Sequence, residues 1–454
     1  MQEMVAVILA AGKGTRMKSS LPKVLHGVGG KPMLRHVMDA AQGAGAARSI
    51  VVVGFGGEQV AAAMGDGAEY VTQAEQLGTG HAVLQTKEIL RGFEGTVLLL
   101  CGDTPLLTVA TLQSLCEAHH SSGAAATVLT AILANPAGYG RILRDADGGV
   151  TGIVEQKDAT PEQMEIGEIN TGNYCFEAAA LFGALDGLTC NNAQKEYYLT
   201  DVLAILARAG QKVGAVQVGD FEETLGINSR VQLAEAEAVL RRRKLVELME
   251  SGVTVMDPAS TFIDTGVSIG RDTIIYPFTW IEGDTVIGED CRIGPNTRIQ
   301  DSVLENAVTL HFSYAHECKI HEGATVGPYV HLRPAAELLP GAKVGNFVEI
   351  KNSQIGRGSK VPHLSYIGDT DMGSGVNIGC GTITVNYDGK KKHRTTIGND
   401  AFIGCNSNLV APVTVGEGAY IAAGSTITKE VPPRSLGVGR ARQMNIPGWV
   451  ENKK

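Results

Sequence analysis

The chain has 454 residues, enough for two or three domains, and its 44% hydrophobic content is ample for sizeable cores. A net charge of −9 argues against broad binding to nucleic acid or to an anionic membrane. The eight cysteines form no C-x-x-C pair and no ligand-like group with histidine, which favours a reducing compartment over a disulfide framework or a zinc site. The N-terminus does not read as a signal peptide and no long apolar run is present, so we expect a cytoplasmic protein without a membrane span.

The first predicted strand, residues 5–9, runs into the glycine-rich stretch LAAGKGTRMKSSLPK. Met17 stands where a Walker A loop and a dinucleotide fingerprint each need glycine, so neither motif is present. Small residues after a buried strand still expose backbone N–H groups to an anion. Four bases could neutralise it: Lys13, Arg16, Lys18 and Lys23. We favour a polyphosphate site over the alternative of a flexible loop with solvated bases.

Up to about residue 228, short apolar runs alternate with helical patterns. We expect strands at 5–9, 49–54, 96–103 and 125–133. We expect helices at 32–47, 80–90 and 200–209. This alternation predicts an α/β, doubly wound, mostly parallel sheet covered by helices on both faces. Ligands bind at the carboxyl ends of such strands, where the glycine-rich stretch lies.

Residues 229–251 contain neither glycine nor proline and are rich in helix formers, which predicts a long connecting helix. Its basic run, Arg241 to Lys244, is most simply a solvated helix face. A nucleic-acid patch is the alternative.

Aliphatic residues then recur at intervals of six. The first run is Ile263, Ile269, Ile275, Ile281, Ile287, Ile293 and Ile299. After a slip of register a second run follows: Ile320, Val326, Leu332, Leu338, Val344 and Ile350. The third run is Ile397, Ile403, Leu409, Val415, Ile421 and Ile427. A hexapeptide repeat predicts a parallel β-helix over about 252–437, with one aliphatic inside each flat face.

The interval breaks at TVNYDGKKKHRTT, residues 384–396, which must leave the coil as a loop. A tolerated insertion is the simplest explanation of such a loop. Its asparagine, tyrosine and three lysines favour a functional role instead.

Motifs in both halves identify a family. The first half carries LAAGKGTRM, LPKVLH, QAEQLGTGHA, CGDTPL, GYGRI, EINTG and NAQKEYYLTD, and resembles the sugar-nucleotide pyrophosphorylases. With RPAAELLPGAKVGNFVEIKN and HLSYIGD in the second half, the whole chain resembles the bacterial bifunctional N-acetylglucosamine-1-phosphate uridylyltransferases / glucosamine-1-phosphate N-acetyltransferases. The resemblance implies a uridylyltransferase domain at 1–228, a linker helix at 229–251, and a left-handed β-helix acetyltransferase domain with its tail at 252–454.

The resemblance implies that the first domain joins UTP to N-acetylglucosamine 1-phosphate and releases pyrophosphate. It places Mg²⁺ on Asp103 and Asn228, a pairing of oxygen ligands that suits a hard cation. Without the resemblance, Asp103 after a strand could equally be a turn or a helix cap. Matching nucleotide and sugar positions are Leu9, Ala10, Ala11, Gly12, Arg16, Lys23, Gln73, Gly78, Thr79, Cys101, Gly102, Gly140, Glu155 and Asn170. Cys101 replaces a common aromatic, which we expect to alter packing rather than chemistry.

The second domain is expected to acetylate the amine of glucosamine 1-phosphate from acetyl-CoA. His363 is the candidate base, because a neutral imidazole can remove the ammonium proton near neutral pH. Glu349 is a hypothetical orienting partner for its ring. Matching sugar-phosphate positions are Arg333, Lys351, Tyr366 and Asn377. Matching acetyl-CoA positions are Cys380, Asn386, Tyr387, Cys405, Ala423 and Arg440, where Asn386 and Tyr387 also match sugar-binding positions.

Cys380 and Cys405 replace a frequent alanine and a frequent serine. A nucleophilic Cys405 is an alternative to direct acetyl transfer, which we favour. The resemblance also implies a homotrimer acting on small molecules, without nucleic-acid or membrane partners. Two rivals remain at this point: a nucleotidylyltransferase with a merely regulatory β-helix, and a scaffold that has lost both chemistries.

Overall fold

The computed structural model describes residues 3–453, without the side chain of Asn452. It divides into two compact units, an N-terminal unit that ends at Leu240 and a C-terminal unit that starts at Arg241. Within the described residues, no helix is both long and apolar enough to cross a membrane.

The N-terminal unit is built on a nine-stranded sheet with the order β11-β7-β10-β6-β1-β4-β5, to which the β8–β9 hairpin is joined through β10. The strands are β1 Met4–Ala10, β2 Gly27–Val28, β3 Lys31–Pro32, β4 Arg48–Val53, β5 Glu69–Thr72, β6 Thr96–Cys101, β7 Ala126–Ile132, β8 Arg141–Arg144, β9 Val150–Val154, β10 Glu168–Glu177 and β11 Val213–Gln217. The short β2 and β3 pair separately. Strand β10 is antiparallel to both β6 and β7, while β1, β4, β5 and β6 run parallel.

Helices cover both faces of this sheet. Those with residues in its two cores are α1 Met33–Gly43, α2 Gly57–Met64 and α4 Val109–Ser122 on one face, and α3 Thr79–Leu84, α6 Ala178–Leu185 and α7 Asp201–Arg208 on the other. The chain also contains α5 Pro161–Met164 and α8 Arg230–Glu250. Short 3₁₀ helices lie at Thr15–Met17, Lys23–Leu25, Gly65–Gly67, Phe221–Thr224, Pro258–Ser260 and Glu451–Lys453. Alternate residues of β1 enter two separate cores, Ile8 on one face and Val7 on the other. This alternation confirms the doubly wound, Rossmann-like fold.

The predicted element ends needed small corrections. Strand β6 stops at Cys101, so Asp103 lies in the following turn rather than at the end of the strand. Helix α3 ends at Leu84, and residues 85–92 form turns instead of the rest of a helix. The expected solvated face at Arg241–Lys244 was wrong for two of its residues. Lys244 is buried and paired with Glu247, and the Arg241 guanidinium lies 4.5 Å from the ring centre of Phe262.

The C-terminal unit is a left-handed parallel β-helix, as the repeats predicted, with three flat faces of eleven, ten and nine strands. Face one contains Thr254–Val255, Ile274–Ile275, Arg292–Ile293, Thr309–Leu310, Thr325–Val326, Lys343–Asn346, Lys360–His363, Asn377–Ile378, Phe402–Ile403, Tyr420–Ile421 and Leu436–Gly437. Face two contains Thr261–Ile263, Thr279–Glu282, Thr297–Gln300, Tyr314–His316, Val330–Leu332, Val348–Lys351, Tyr366–Gly368, Ile383–Val385, Asn408–Val410 and Thr426–Ile427. Face three contains Ser268–Ile269, Val286–Ile287, Val303–Leu304, Lys319–Ile320, Glu337–Leu338, Gln354–Ile355, Thr370–Met372, Thr395–Ile397 and Val413–Val415.

The aliphatics of the repeat stack inside the coil. Ile275, Ile293 and Leu310 are adjacent in the ladder of face one and are fully buried. Aliphatic residues six positions apart in sequence lie on successive faces of the β-helix. Each face therefore contributes one ladder of aliphatic side chains to a single continuous core. The predicted insertion leaves the coil between Val385 of face two and Thr395 of face three.

Candidate functional site

In the N-terminal unit, a cavity of about 280 Å³ lies at the carboxyl ends of β1 and β6. Its lining is Leu9, Ala10, Ala11, Gly12, Lys23, Val24, Gln73, Gln76, Gly78, Thr79, Ala82, Cys101, Asp103 and Glu196. Most of the predicted nucleotide-binding residues are therefore brought together around one space. Gln76 and Glu196 belong to it as well, and sequence reasoning had not singled them out although both lie inside quoted motifs.

The glycine-rich stretch folds back on itself so that Lys23 reaches this cavity. Gly14 has a φ of 58°, and a Cβ there would lie 2.7 Å from the Cβ of Lys23. Glycine at this position therefore permits the close approach of the two chain segments. Arg16 lies on the 3₁₀ helix Thr15–Met17, is exposed, and does not line the cavity.

Three polar side chains meet at the cavity edge. The Lys23 ammonium donates to the carboxylate of Asp103 and, at 3.0 Å, to the Oδ1 atom of Asn228. The Asn228 amide nitrogen donates to the Gly226 carbonyl at 3.3 Å, which points Oδ1 toward the ammonium. A carboxylate oxygen of Asp103 and an amide oxygen of Asn228 thus both contact the Lys23 ammonium, although the two residues are far apart in sequence.

The far side of the cavity is held by Gln73 and the turn at Gly78. Gln73 is buried, and its amide nitrogen lies 3.1 Å from both the Gly78 carbonyl and the His81 Nδ1 atom. Gly78 has a φ of 116°, and a Cβ there would lie 2.6 Å from the Tyr197 carbonyl oxygen. Thr79 accepts a hydrogen bond from the Leu199 N–H at 3.1 Å. The turn is therefore closely packed against the segment that carries Glu196.

Gly140, Glu155 and Asn170 form a neighbouring group that does not line this cavity. The Asn170 N–H donates to the Gly140 carbonyl at 2.9 Å, and the Tyr174 hydroxyl donates to the Asn170 Oδ1 atom at 2.9 Å. Burial raises the pKa of Glu155 above the usual value of a glutamate, while a hydrogen bond from Thr200 opposes that shift.

Cys101 joins the two groups. Its thiol donates to the Gly172 carbonyl at 3.4 Å, next to Asn170, and its residue also lines the cavity. Burial, together with the Asp103 charge, raises the pKa of Cys101 to about 12. The thiol is therefore protonated at neutral pH. Gly102 lies under the strand end, with its N–H donating to the Leu9 carbonyl at 2.9 Å.

In the C-terminal unit, His363 lies in a column of residues at the corner between face one and face two. Asn346 is directly below it in register, and Cys380, Cys405 and Ala423 follow in the next coils. The Arg440 guanidinium donates to the Ala423 carbonyl at 2.7 Å and ends this column. The candidate base thus shares one corner with four predicted acetyl-CoA positions, Cys380, Cys405, Ala423 and Arg440. The other two, Asn386 and Tyr387, lie in the insertion after face two.

The hypothesis that Glu349 orients His363 was wrong. His363 Nδ1 lies 2.6 Å from the Oδ1 atom of Asn346, whereas Glu349 accepts a hydrogen bond from Arg333 at 2.7 Å. Glu349 is in register with Tyr366 on face two, so its side chain belongs to a different face.

Three cations gather where face two ends. Arg333 and Lys351 occupy successive coils, and Lys392 comes to Lys351 from the insertion. Contact with the Lys392 ammonium, together with burial, lowers the pKa of Lys351, as expected when like charges are held close. Sequence reasoning missed Lys392 individually. The run of three lysines in the insertion was the available signal.

Tyr366 and Asn386 meet above a glycine. The Asn386 amide lies 3.3 Å from the Tyr366 hydroxyl, and a Cβ on Gly368 would come within 2.4 Å of that hydroxyl. Tyr387 is exposed and donates its hydroxyl to the Gly389 carbonyl at 2.7 Å.

The predicted acetyl-acceptor residues are not all brought together in one chain. Asn377 lies on face one, whereas Arg333, Lys351 and Tyr366 lie on face two or at its end. An open groove of about 580 Å³ runs along face two past Glu349 and Tyr366. Tyr329, Phe347 and Leu364 line one side of it, and Phe278 and Phe312 line an adjacent groove at the same corner. These five residues are called the apolar ridge.

Comparisons with known proteins match both units. The MobA-like NTP transferase domain family matches residues 6–151. The bacterial transferase hexapeptide family, described by six repeats, matches residues 266–301 and 394–429.

Relatives named "Bifunctional protein GlmU" match over nearly the full length. One from Heliobacterium modesticaldum is 59% identical over 442 residues, covering 97% of this chain and 96% of the relative. One from Geobacillus sp. (strain WCH70) is 56% identical over 446 residues, covering 98% and 97%. One from Caldanaerobacter subterraneus subsp. tengcongensis is 54% identical over 453 residues, covering 100% and 99%.

Proposed function

This chain belongs to the GlmU family of bifunctional transferases, and we propose that it makes UDP-N-acetylglucosamine in two steps at two separate centres. The C-terminal unit transfers acetyl from acetyl-CoA to glucosamine 1-phosphate. The N-terminal unit then transfers uridylyl from UTP to the product and releases pyrophosphate. The observation that carries this proposal is that each unit has its own set of predicted residues. Most of the first set line the Asp103 cavity, and His363 aligns with Cys380, Cys405 and Ala423 at one corner of the β-helix.

Asp103 and Asn228 fit a magnesium site in the uridylyltransferase centre. Their oxygens already converge on the Lys23 ammonium. A metal ion at the position of that ammonium would be bound by one carboxylate oxygen and one amide oxygen. Mg²⁺ takes such oxygen ligands while keeping several waters, and when bound it neutralises charge on the phosphate oxygens. Lys23 would then turn to the triphosphate, where Arg16 also contributes positive charge.

The remaining groups of this centre bind and orient the substrates. The backbone of Leu9, Ala10, Ala11 and Gly12 approaches the nucleotide, and Gln73 with the Gly78–Thr79 turn holds the uracil end. Cys101 and Gly102 form the floor between them. Gly140, Glu155 and Asn170 hold the N-acetylglucosamine ring through backbone, carboxyl and amide hydrogen bonds. Positioning of this kind is most of what catalysis of an in-line phosphoryl attack requires.

In the acetyltransferase centre, His363 acts as general base. Asn346 accepts the Nδ1–H bond, which leaves the Nε2 lone pair free to take a proton from the substrate ammonium. The freed amine attacks the thioester carbonyl, and the C–S bond of the tetrahedral adduct then breaks. The nitrogen loses its second proton to the departing coenzyme A sulfur, and the imidazolium returns its proton to water. Direct transfer of this kind uses no acetyl-cysteine, so Cys405 only contacts the cofactor.

The other residues of this centre bind its substrates. Arg333, Lys351 and Lys392 hold the sugar phosphate, and Tyr366, Asn377 and Asn386 hold the sugar. Acetyl-CoA is bound along the corner column by Cys380, Cys405, Ala423 and Arg440, with Tyr387 beside it.

A homotrimer would complete this centre. Asn377 and the Arg333–Lys351 pair lie on different faces of the β-helix. A neighbouring chain is therefore needed to bring both groups to one substrate. The apolar ridge offers a surface for such packing, because Phe278, Tyr329, Phe347 and Leu364 are each more than half exposed. A cytoplasmic location stays a prediction from the scattered cysteines.

Mass spectrometry of the products tests both activities in one experiment. The wild-type protein is incubated with UTP, Mg²⁺ and glucosamine 1-phosphate, with and without acetyl-CoA. We expect UDP-N-acetylglucosamine only when acetyl-CoA is present. His363→Ala should still use N-acetylglucosamine 1-phosphate but not glucosamine 1-phosphate, and Asp103→Ala should accumulate N-acetylglucosamine 1-phosphate. A wild-type protein that never acetylates glucosamine 1-phosphate would overturn the acetyltransferase assignment.

A further inference from the structure

The insertion between face two and face three is a small ordered hairpin. The His393 N–H donates to the Asn386 carbonyl at 2.8 Å, and Tyr387 and Lys392 form an antiparallel bridge. Asp388 caps the turn by accepting the Lys390 and Lys391 N–H groups at 2.7 Å each. The position of Lys392 therefore depends on how this hairpin is attached to the coil.

Asp369 attaches both ends of the hairpin. One carboxylate oxygen, Oδ2, accepts from the Asn386 amide at the start of the hairpin. Its backbone carbonyl accepts from the Thr395 N–H at 3.0 Å, where the chain re-enters the coil. Asp369 itself is fixed, because Asn352 donates to Oδ1 and its own N–H donates to the Lys351 carbonyl at 3.0 Å.

Asp369 is also the acidic group placed beneath the cations. It is 5% exposed, and its charge favours the protonated form of Lys351 against the opposing effect of Lys392 and Arg333. Three cations held together repel one another. Glu349 already pairs with Arg333, and the buried carboxylate of Asp369 offsets the charge of Lys351 from behind. Its hydrogen bonds and its charge thus serve the same cluster.

We infer that Asp369 is a positioning residue for the acetyl acceptor: it anchors the hairpin so that Lys392 joins Arg333 and Lys351 around the sugar phosphate. It does not touch the substrate and acts through Lys392, Lys351 and Asn386. This inference rests on the proposed acetyltransferase function. It adds a residue that binds none of the predicted ligands but sets the geometry of those that do.

The test compares Asp369→Asn with Asp371→Asn in the full-length protein. The first variant keeps the shape but loses the charge, and one of the two amide donors is left without an acceptor. The second removes an exposed carboxylate that binds Arg394 beside the same hairpin end. We expect Asp369→Asn to raise the KM for glucosamine 1-phosphate about tenfold, with the KM for acetyl-CoA and kcat changed by less than about threefold. Asp371→Asn should change each constant by less than about twofold.

A double-mutant cycle with Lys392→Met distinguishes positioning from general damage. If Asp369 acts through Lys392, the effect of Asp369→Asn on this KM shrinks to about twofold or less when Lys392 is already absent. An undiminished effect in that background, an unchanged KM in the single variant, or an equal loss of kcat and both KM values would each overturn the inference.

Uridylyl transfer in the same samples serves as the internal control for folding and concentration. If Asp369→Asn does not fold, Asp369→Glu replaces it, since one extra methylene keeps the charge but misplaces the carboxylate relative to Asn386 of the hairpin and to Asn352. The same selective rise in KM is then expected, and an unchanged KM overturns the inference. Failure of the wild-type protein to acetylate glucosamine 1-phosphate is a different result, which counts against the proposed function.

Discussion

One amide determines which nitrogen of His363 can act as the base. Asn346 accepts at 2.6 Å from Nδ1, so the proton sits on that nitrogen and Nε2 is left free. An orienting partner of this kind restricts both the ring rotation and the tautomer. The acetyltransferase rate should therefore depend on Asn346.

Asn346→Ala should lower the kcat of acetyl transfer about tenfold with little change in either KM, because the imidazole loses its fixed tautomer. Asn346→Asp should behave differently. A carboxylate beside the ring favours the imidazolium, so the acid limb of the pH–rate profile should move to higher pH. Steady-state kinetics from pH 5.5 to 9 checks both, with uridylyl transfer as control. An Asn346→Ala variant with unchanged kcat would show that the ring needs no such partner.

Glu155 is a half-buried carboxyl whose ionisation costs stability. Its folded-state pKa is raised by burial, so its favourable contribution is present below the unfolded-state pKa and is lost as pH rises through the folded-state value. Above the folded-state value the carboxylate is charged and poorly solvated. Such a residue is retained for binding rather than for stability.

Glu155→Gln should therefore raise the melting temperature of the N-terminal unit at pH 7.5 and have a smaller effect at pH 4.5. Uridylyl transfer should fall because the proposed sugar contact is lost, which is the usual cost of relieving a destabilised binding group. Differential scanning calorimetry at the two pH values measures the first effect. Glu165→Gln, at an exposed position, is the control and should change neither. A lower melting temperature for Glu155→Gln at pH 7.5 would contradict this account.

At the scale of elements, the strands and the coils of the β-helix could be predicted, because the side chains that face a core recur at a regular spacing in the sequence. The apolar run of β1 and the six-residue intervals of the β-helix both record which side chains face a core. Ile293 and Val326 lie where the interval placed them. The insertion was visible for the same reason, since a polar stretch without the period cannot continue the coil.

The interval alone could not predict the partner of His363. Three intervals of six give coils of about eighteen residues, which would place Gly345 beneath His363. The coil here is one residue shorter, since Ile350 pairs with Ile367, and Asn346 lies there instead. The meeting of Lys392 with Lys351 was equally hidden, because it depends on how the hairpin is attached. Contacts set by turn length and loop attachment leave no periodic signal.

The turn at Gly78 shows a backbone element built to close a binding cavity. Its φ of 116° and the nearness of the Tyr197 backbone both require glycine. Gly78→Ala should raise the KM for UTP at least about tenfold, because the turn that carries Thr79 must shift. Gly92 also has a positive φ, 80°, but open space around it, so Gly92→Ala is the matched control for backbone strain alone. UTP kinetics that are equal in the two variants would show that the contact with Tyr197 is unimportant.

At the scale of the whole molecule, the two units differ in how complete their centres are. In the N-terminal unit, one chain already gathers most of the predicted nucleotide-binding residues around a cavity, and its proposed metal ligands converge. The proposed acetyltransferase residues instead lie on two faces of the β-helix. We therefore expect only the second activity to depend on association between chains.

The apolar ridge is the feature that makes this dependence testable. Tyr329 and Phe347 stack with their ring centres 5.3 Å apart and are 56% and 55% exposed. Both residues adopt positive φ angles, 59°, which bulky residues rarely adopt, so the corner holds them outward at a conformational cost. Such a cost is understandable when the exposed rings are covered by another copy of the chain.

Tyr329→Asp combined with Phe347→Asp should convert the proposed trimer to monomers, because two charges cannot be buried in an apolar contact without partners. Acetyl transfer should fall more than about a hundredfold, since Asn377 and the cation cluster no longer meet at one substrate, while uridylyl transfer stays within about twofold. Light scattering coupled to gel filtration measures the assembly, and both activities are assayed on the same fractions. Val303→Asp, at an exposed apolar position on face three, is the control and should leave assembly and activity unchanged. A monomeric variant that still acetylates at the wild-type rate would mean that one chain holds a complete centre.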